Sequence, residues 1–150
     1  MKVLVAYDGT LQSKEALKYG LDKVKENGGE LVALHVFKSN MFVDYDSIPG
    51  AEDIARGEAA RFVAEAEQLI RKEGRGVRAK VLAEDGNPAE EIINYAMAKN
   101  IDVLLCPPRY RSIIDRIKRT LKEEGRDINE SRILDDRSKV KMSVVSVPAK

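Results

Sequence analysis

Val3-Leu4-Val5-Ala6-Tyr7-Asp8-Gly9-Thr10 is the stretch that decides the fold. Its first four residues form a short apolar run, and Tyr7-Asp8-Gly9-Thr10 ends that run with turn and helix-start chemistry. A run this short, bounded by turn residues and followed by a helical pattern, reads as a buried parallel strand entering a strand-to-helix turn. In open α/β sheets, ligands sit in the crevice beyond the carboxyl ends of the strands. Asp8 stands at that edge. Its carboxylate serves either as a cap for the helix that follows or as a polar contact to a ligand in the crevice.

Strand and helix patterns alternate outward from this turn. A helix over Leu11 to Asn27 places Leu17, Gly20, Leu21 and Val24 on one apolar stripe, and Asn27-Gly28-Gly29 stops it. The second strand, Leu31 to Phe37, is apolar on both faces apart from His35. A polar, acidic loop follows from Lys38 to about Gly50, too long for a minimal connection. The next helix carries Ala55, Ala59, Phe62, Val63, Ala66, Leu69 and Ile70 on one face and ends at Gly74. The third strand, Val77 to Ala83, alternates with Arg78 and Lys80, as suits an edge. In Gly86-Asn87-Pro88-Ala89-Glu90, Asn87 caps a helix, Pro88 takes its first position and Glu90 completes a capping box. That helix ends near Asn100, and Ile101 to Cys106 forms a fourth strand stopped by Pro107 and Pro108.

The last third is less regular. Tyr110, Ile113, Ile114, Ile117 and Leu121 predict a helix ending at Gly125, and Asp127 with Glu130 predicts a short helix to about Leu134. Asp135 to Lys141 reads as charged linker and Met142 to Val147 as a final strand. Right-handed crossovers wind these five strands into one parallel sheet with helices on both faces, a single α/β domain over residues 1–150.

Composition narrows the function classes. The 150 residues carry a net charge of +1, so no global field draws the chain to nucleic acid or to a membrane. Cys106 is the only cysteine, which excludes an intrachain disulfide and fits a reducing compartment. No apolar run approaches the ~18 residues of a membrane span, and the N-terminus lacks the layout of a signal peptide. A cytoplasmic protein is the expectation. Tryptophan is absent, which disfavours a base-stacking surface.

This order of elements resembles the universal stress protein family over nearly the whole chain. The residues that carry the resemblance are Val3 to Thr10, His35-Val36, Gly86-Asn87-Pro88-Ala89-Glu90-Glu91-Ile92, Asp102 and Val144-Val145-Ser146-Val147-Pro148. It implies a doubly wound, Rossmann-like three-layer α/β/α fold with strand order 3-2-1-4-5. It also implies a role in stress response or regulation, and a homodimer formed through the last strand, here Met142 to Val147. Some members bind ATP, and others, similar to universal stress protein A, do not. The binders carry Gly-x-x-Gly after the fourth strand, then nine residues, then Gly-Ser or Gly-Thr, where the glycines let backbone approach ribose and phosphates.

Aligned from the fourth strand, this chain reads Cys106-Pro107-Pro108-Arg109, nine residues, then Arg119-Thr120. All three glycines are missing and only the hydroxyl survives. Thr120 lies within the apolar stripe from Tyr110 to Leu121, so in one continuous helix the neighbouring N–H groups are already bonded. Aligned backward from the final strand, the serine position falls near Asn129 to Ser131, again without glycine. The expectation is a protein without a cofactor and without tight ATP binding, with ATP or AMP as the alternative. Under that alternative Ala6, Asp8 and Val36 match the positions that hold the adenine end. Arg109 and Arg119 then replace backbone amides as phosphate clamps beside Thr120.

Other chemistry is sparse. His35 and Cys106 invite a thiol–imidazole reading, but strands two and four flank strand one, so their backbones stand ~9–10 Å apart. One histidine and one cysteine make no zinc site. No nucleophile, base and oxyanion constellation is visible, so no catalytic residue is assigned and an enzyme is not expected. Arg109, Arg111, Arg116, Lys118, Arg119 and Lys122 form a basic cluster opposed only by Asp115. Arg111, Lys118 and Lys122 share a face that is either simply solvated or docks an acidic partner. One such partner is the acidic loop of Asp44, Asp46, Glu52 and Asp53 on another subunit. The extra segment from Pro107 to Lys141 is expected to lie over the carboxyl edge of the sheet.

Overall fold

β1, Lys2–Ala6, is apolar on both faces because both faces are covered: Val3, Leu4, Val5 and Ala6 are all buried. The computed structural model describes residues 1–37, 51–107, 111–123, 125, 129–135 and 140–146, the last two segments by their backbone. From β1 the chain passes through α1 (Leu11–Asn27), β2 (Glu30–Phe37), α2 (Ala51–Glu73), β3 (Arg78–Asp85), α3 (Pro88–Ala98) and β4 (Val103–Cys106). It then forms α4 (Arg111–Glu123), β5 (Asn129–Asp135) and β6 (Val140–Ser146). The expected long loop at 38–50 lies outside the described residues.

The sheet has the order β3-β2-β1-β4-β6-β5. Its first four strands are parallel, with Val5 opposite Ala33 on one side and Leu105 on the other. α1 and α2 cover one face, where Leu17, Leu21, Val24 and Ala66 pack on Val3, Val5, Leu31 and Ala33. α3 and α4 cover the other, where Ile92, Ile93, Ala96, Ile114 and Ile117 pack on Leu4, Leu34, Leu104 and Cys106. At ~1.5–3 kcal/mol for each large side chain removed from water, these two layers hold the sheet. The doubly wound fold and the neighbours of β1 are those the sequence predicts.

The region after α4 differs in two ways. Residues expected to form a short helix to Leu134 are the strand β5, and the final strand runs antiparallel to β4, with Leu104 opposite Val145. β5 runs in the same direction as β4 but one place further out, and β6 returns antiparallel in the gap between them. The Asp127–Glu130 spacing imitates a capping box. The alternation of Val140, Met142 and Val144 with Lys141 and Ser143 is the stronger, period-two signal. β6 therefore has strands on both sides, and the sheet edge expected at Met142 to Val147 is that of β5 instead. The charged stretch after Asp135 joins two strands, its residues 136–139 lying outside the described set.

α4 also corrects an expectation. Ile114 and Ile117 are fully buried against the sheet beside α3, so the helix forms part of a covering layer and does not lie over the carboxyl edge. Among the described residues no helix is long and apolar enough to cross a membrane.

Candidate functional site

The turn after β1 is built from its own side chains. Thr10 is the N-cap of α1: its Oγ1 accepts from the Ser13 N–H at 3.2 Å, while Ser13 Oγ donates to the Thr10 carbonyl at 2.9 Å. Asp8 braces that cap and does not itself cap the helix. Its Oδ1 accepts from the Thr10 N–H at 3.1 Å and from Thr10 Oγ1 at 2.5 Å, and the residue is 7% exposed. Gly9 between them has φ +78°, and a Cβ there would stand 2.3 Å from the Phe62 ring of α2. Only glycine meets both demands.

His35 closes the same corner from β2. Its Nδ1–H donates to the Tyr7 carbonyl at 2.9 Å, and its ring lies edge-on to Phe62, with centroids 5.0 Å apart. Phe37 stacks on the same ring, with centroids 6.2 Å apart. His35 therefore faces the α1–α2 layer, whereas Cys106 is buried in the α3–α4 layer. The two are on opposite faces of the sheet, which removes the thiol–imidazole reading. Tyr7 is fully buried, and its hydroxyl has no partner among the described residues. Burial first, then the charges of Glu65 and Asp8, push its pKa up to about 12.

On the other face, an open cavity of about 370 Å³ lies between the starts of α3 and α4, lined by Asn87, Pro88, Ala89, Ser112 and Arg116. Asn87 Oδ1 caps α3 by accepting from the Ala89 and Glu90 N–H groups, at 3.0 and 3.3 Å. Glu90 faces Arg116, whose Nη2 is 3.6 Å from its carboxylate. The expected capping function of Asn87 is present, and the partnership of Glu90 with α4 is an addition no local spacing announces.

Of the candidate nucleotide residues, Ala6, Asp8 and Val36 gather at the carboxyl ends of the neighbouring strands β1 and β2. Ala6 is buried, and Val36 is half-buried against the α3–α4 core. Arg119 and Thr120 are elsewhere. Arg119 is exposed and Thr120 half-buried, about 13 Å along α4 from its start, at 1.5 Å per residue. Thr120 Oγ1 donates to the Arg116 carbonyl at 3.0 Å, a bond within the helix. Arg109 lies outside the described residues. On the basic face, Lys122 is exposed and Lys118 half-buried, while the Arg111 side chain is outside the described set. Phe62 and Arg116 are the residues sequence reading missed. In the sequence Phe62 is one more member of an apolar stripe, and Arg116 one more charge in a basic run.

Residues 1–119 match the universal stress protein family. The chain belongs to that family. The match ends at Arg119, so β5 and β6 lie beyond it. Universal stress protein YxiE of Bacillus subtilis (strain 168) is 30% identical over an aligned length of 121 residues, a match that covers 72% of this chain and 78% of the relative. A solved universal stress protein from Burkholderia pseudomallei superposes with a TM-score of 0.63 at 22% identity, covering 79% of this chain and 88% of that one. Another, from Archaeoglobus fulgidus in complex with dAMP, superposes with a TM-score of 0.60 at 19% identity. It covers 78% of this chain and 88% of its own.

Proposed function

We propose that this universal stress protein acts by binding and not by catalysis, as a cytoplasmic homodimer in a stress-response or regulatory setting, and that it does not hold ATP through a glycine-lined phosphate loop. The observation that carries the reading is Thr120. Its hydroxyl bonds to the Arg116 carbonyl inside α4, so the one surviving group of the nucleotide pattern is engaged within a helix. Isothermal calorimetry with Mg-ATP at a protein concentration near 100 μM tests it. The expected outcome is little or no heat, and saturable binding at ~10 μM or tighter, about −7 kcal/mol, overturns it. For the dimer, β6 is flanked on both sides, so at the C-terminal end of the sheet the backbone edge open to a second copy is that of β5, the other edge being the charged strand β3. Sedimentation that finds only monomer would remove the dimer from the reading.

A second reading is favoured by Ala6, Asp8 and Val36, which still converge at the carboxyl ends of β1 and β2, and by the relative in complex with dAMP. In it an adenine nucleotide binds with arginine in place of the phosphate loop. Arg116 then joins Arg109 and Arg119 as a candidate clamp, because its side chain lines the cavity beside α3. Under this reading Arg116→Ala weakens AMP binding more than Arg119→Ala does.

A further inference from the structure

A second cavity, of about 220 Å³, opens at the amino edge of the sheet, the end opposite the Asp8 turn. Parallel register builds its floor. Lys2, Glu30 and Arg78 align across β1, β2 and β3 as one row, and Leu4, Val32 and Lys80 align as the row two residues on. Leu4 and Val32 belong to the α3–α4 core, so both rows face α3. Its roof is the end of α3, with Tyr95 half-buried and Lys99 at the C-cap, where Lys2 Nζ donates to the Lys99 carbonyl at 3.3 Å.

Lys2, Lys80 and Lys99 line the cavity with one carboxylate, Glu30; Asp102 stands beside it, its Oδ2 accepting from the Lys2 N–H at 2.8 Å, and none of the three ammonium groups is in an ion pair among the described residues. The cavity carries a local excess of positive charge, with Arg78 beside it in the same row. Lysine meets phosphoryl oxygens as a mobile point charge, whereas flat carboxylates are better matched by the arginine fork. Glu30 repels a ligand that is anionic all over, but it accepts hydrogen bonds from hydroxyl groups. Burial and then the Glu30 charge raise the pKa of the Tyr95 phenol above its ordinary 10.0. Val32 and Ile101, both of the α3–α4 core, give the cavity an apolar wall. Its volume is below the ~300–1,000 Å³ of clefts for drug-sized ligands.

We propose that this amino-edge cavity binds a small phosphorylated polyol or sugar, with lysine ammonium groups on the phosphoryl oxygens and Glu30 accepting from ligand hydroxyls. The site lies at the other end of the sheet from the proposed nucleotide crevice, so the two stand or fall separately. The test uses the full ¹⁵N-labelled chain titrated with glucose 6-phosphate, inorganic phosphate and glucose. Glucose 6-phosphate is expected to give saturable shifts at the amides of Lys2, Glu30, Lys80, Tyr95 and Lys99, without shifts at Asp8 or Asn87. Inorganic phosphate is expected to bind roughly tenfold more weakly, and glucose not at all. Lys80→Glu and Lys99→Glu, both exposed positions, should each weaken glucose 6-phosphate binding roughly tenfold or more with the rest of the spectrum unchanged. Glu30→Gln should weaken it while strengthening inorganic phosphate, from which it removes a like charge. Absence of saturable shifts up to about 20 mM overturns the proposal. So does binding indifferent to Lys80→Glu, or inorganic phosphate binding as tightly as the sugar phosphate.

Discussion

Thr10 and Thr120 follow neighbouring central strands, and their hydroxyls do opposite things. Thr10 ends a four-residue turn held by Asp8 and Gly9, and its oxygen accepts an N–H that α1 leaves unbonded. Thr120 sits inside α4, and its hydroxyl donates a hydrogen bond to a carbonyl already within the helical ladder. Position along a helix, more than residue type, decides whether a hydroxyl organises a site. The contrast extends to the regions around them. The first third of the chain is a tightly braced parallel unit, and the last third reverses direction to place β6 between β4 and β5.

The largest expected effect is in the last third. Val145 faces Leu104 on one side and Glu130 on the other, so Val145→Pro removes a donor from an internal strand. A loss of about 3 kcal/mol or more should appear in urea unfolding and be independent of protein concentration. A variant that loses only self-association, with unfolding unchanged, would restore the final strand to the edge of the sheet. In the first third, Gly9→Val combines a left-handed φ with a clash against Phe62 and should cost about 2–4 kcal/mol. A cost below about 0.5 kcal/mol would mean the turn is far less braced than described.

The two threonines give the direct comparison. Thr10→Ala should lose about 1 kcal/mol with the cap, whereas Thr120→Ala should stay within about 0.5 kcal/mol of the native chain. Equal losses would erase the distinction. Smallest in size is Tyr7→Phe, which removes a buried hydroxyl without a partner and should be neutral or gain up to about 1 kcal/mol near pH 8. The sign of its pH dependence follows from the folded phenol ionising at about 12 and the unfolded one at 10.0. The stability tied to the neutral phenol is complete below pH 10 and is lost as pH rises toward 12. Urea unfolding at pH 8 and pH 11 should fall less steeply for Tyr7→Phe than for the native chain. An unchanged slope would place the Tyr7 hydroxyl in contact with water.

What could be read in advance followed the range of the interactions. Leu17, Leu21 and Val24 declare their helix face locally, and Asn87-Pro88 declares a helix start, because each signal lies within one or two turns. The absence of glycine around Thr120 was equally legible. Three things were hidden in distance. The contact of Gly9 with Phe62 spans 53 positions and leaves no mark on either local pattern. The pairing of Glu130 with Val145 depends on a hairpin, while the acidic spacing at 127 and 130 favours a helix start. The amino-edge cavity exists because sheet register sets Lys80 two residues on from the row of Lys2 and Glu30, on the same face, although these charges look scattered along the chain.

His35 has a practical consequence. It is the only histidine in the chain, so its ring C–H protons give a single imidazole pair in a proton spectrum, needing neither isotope labelling nor assignment. Phe37 and Phe62 place those protons in the ring currents of two phenyl groups, one stacked and one edge-on. The imidazole is bonded to the carbonyl of the residue just before Asp8. Any ligand that enters the crevice and tilts either phenyl ring would move that isolated resonance, which makes the native protein its own reporter of occupancy.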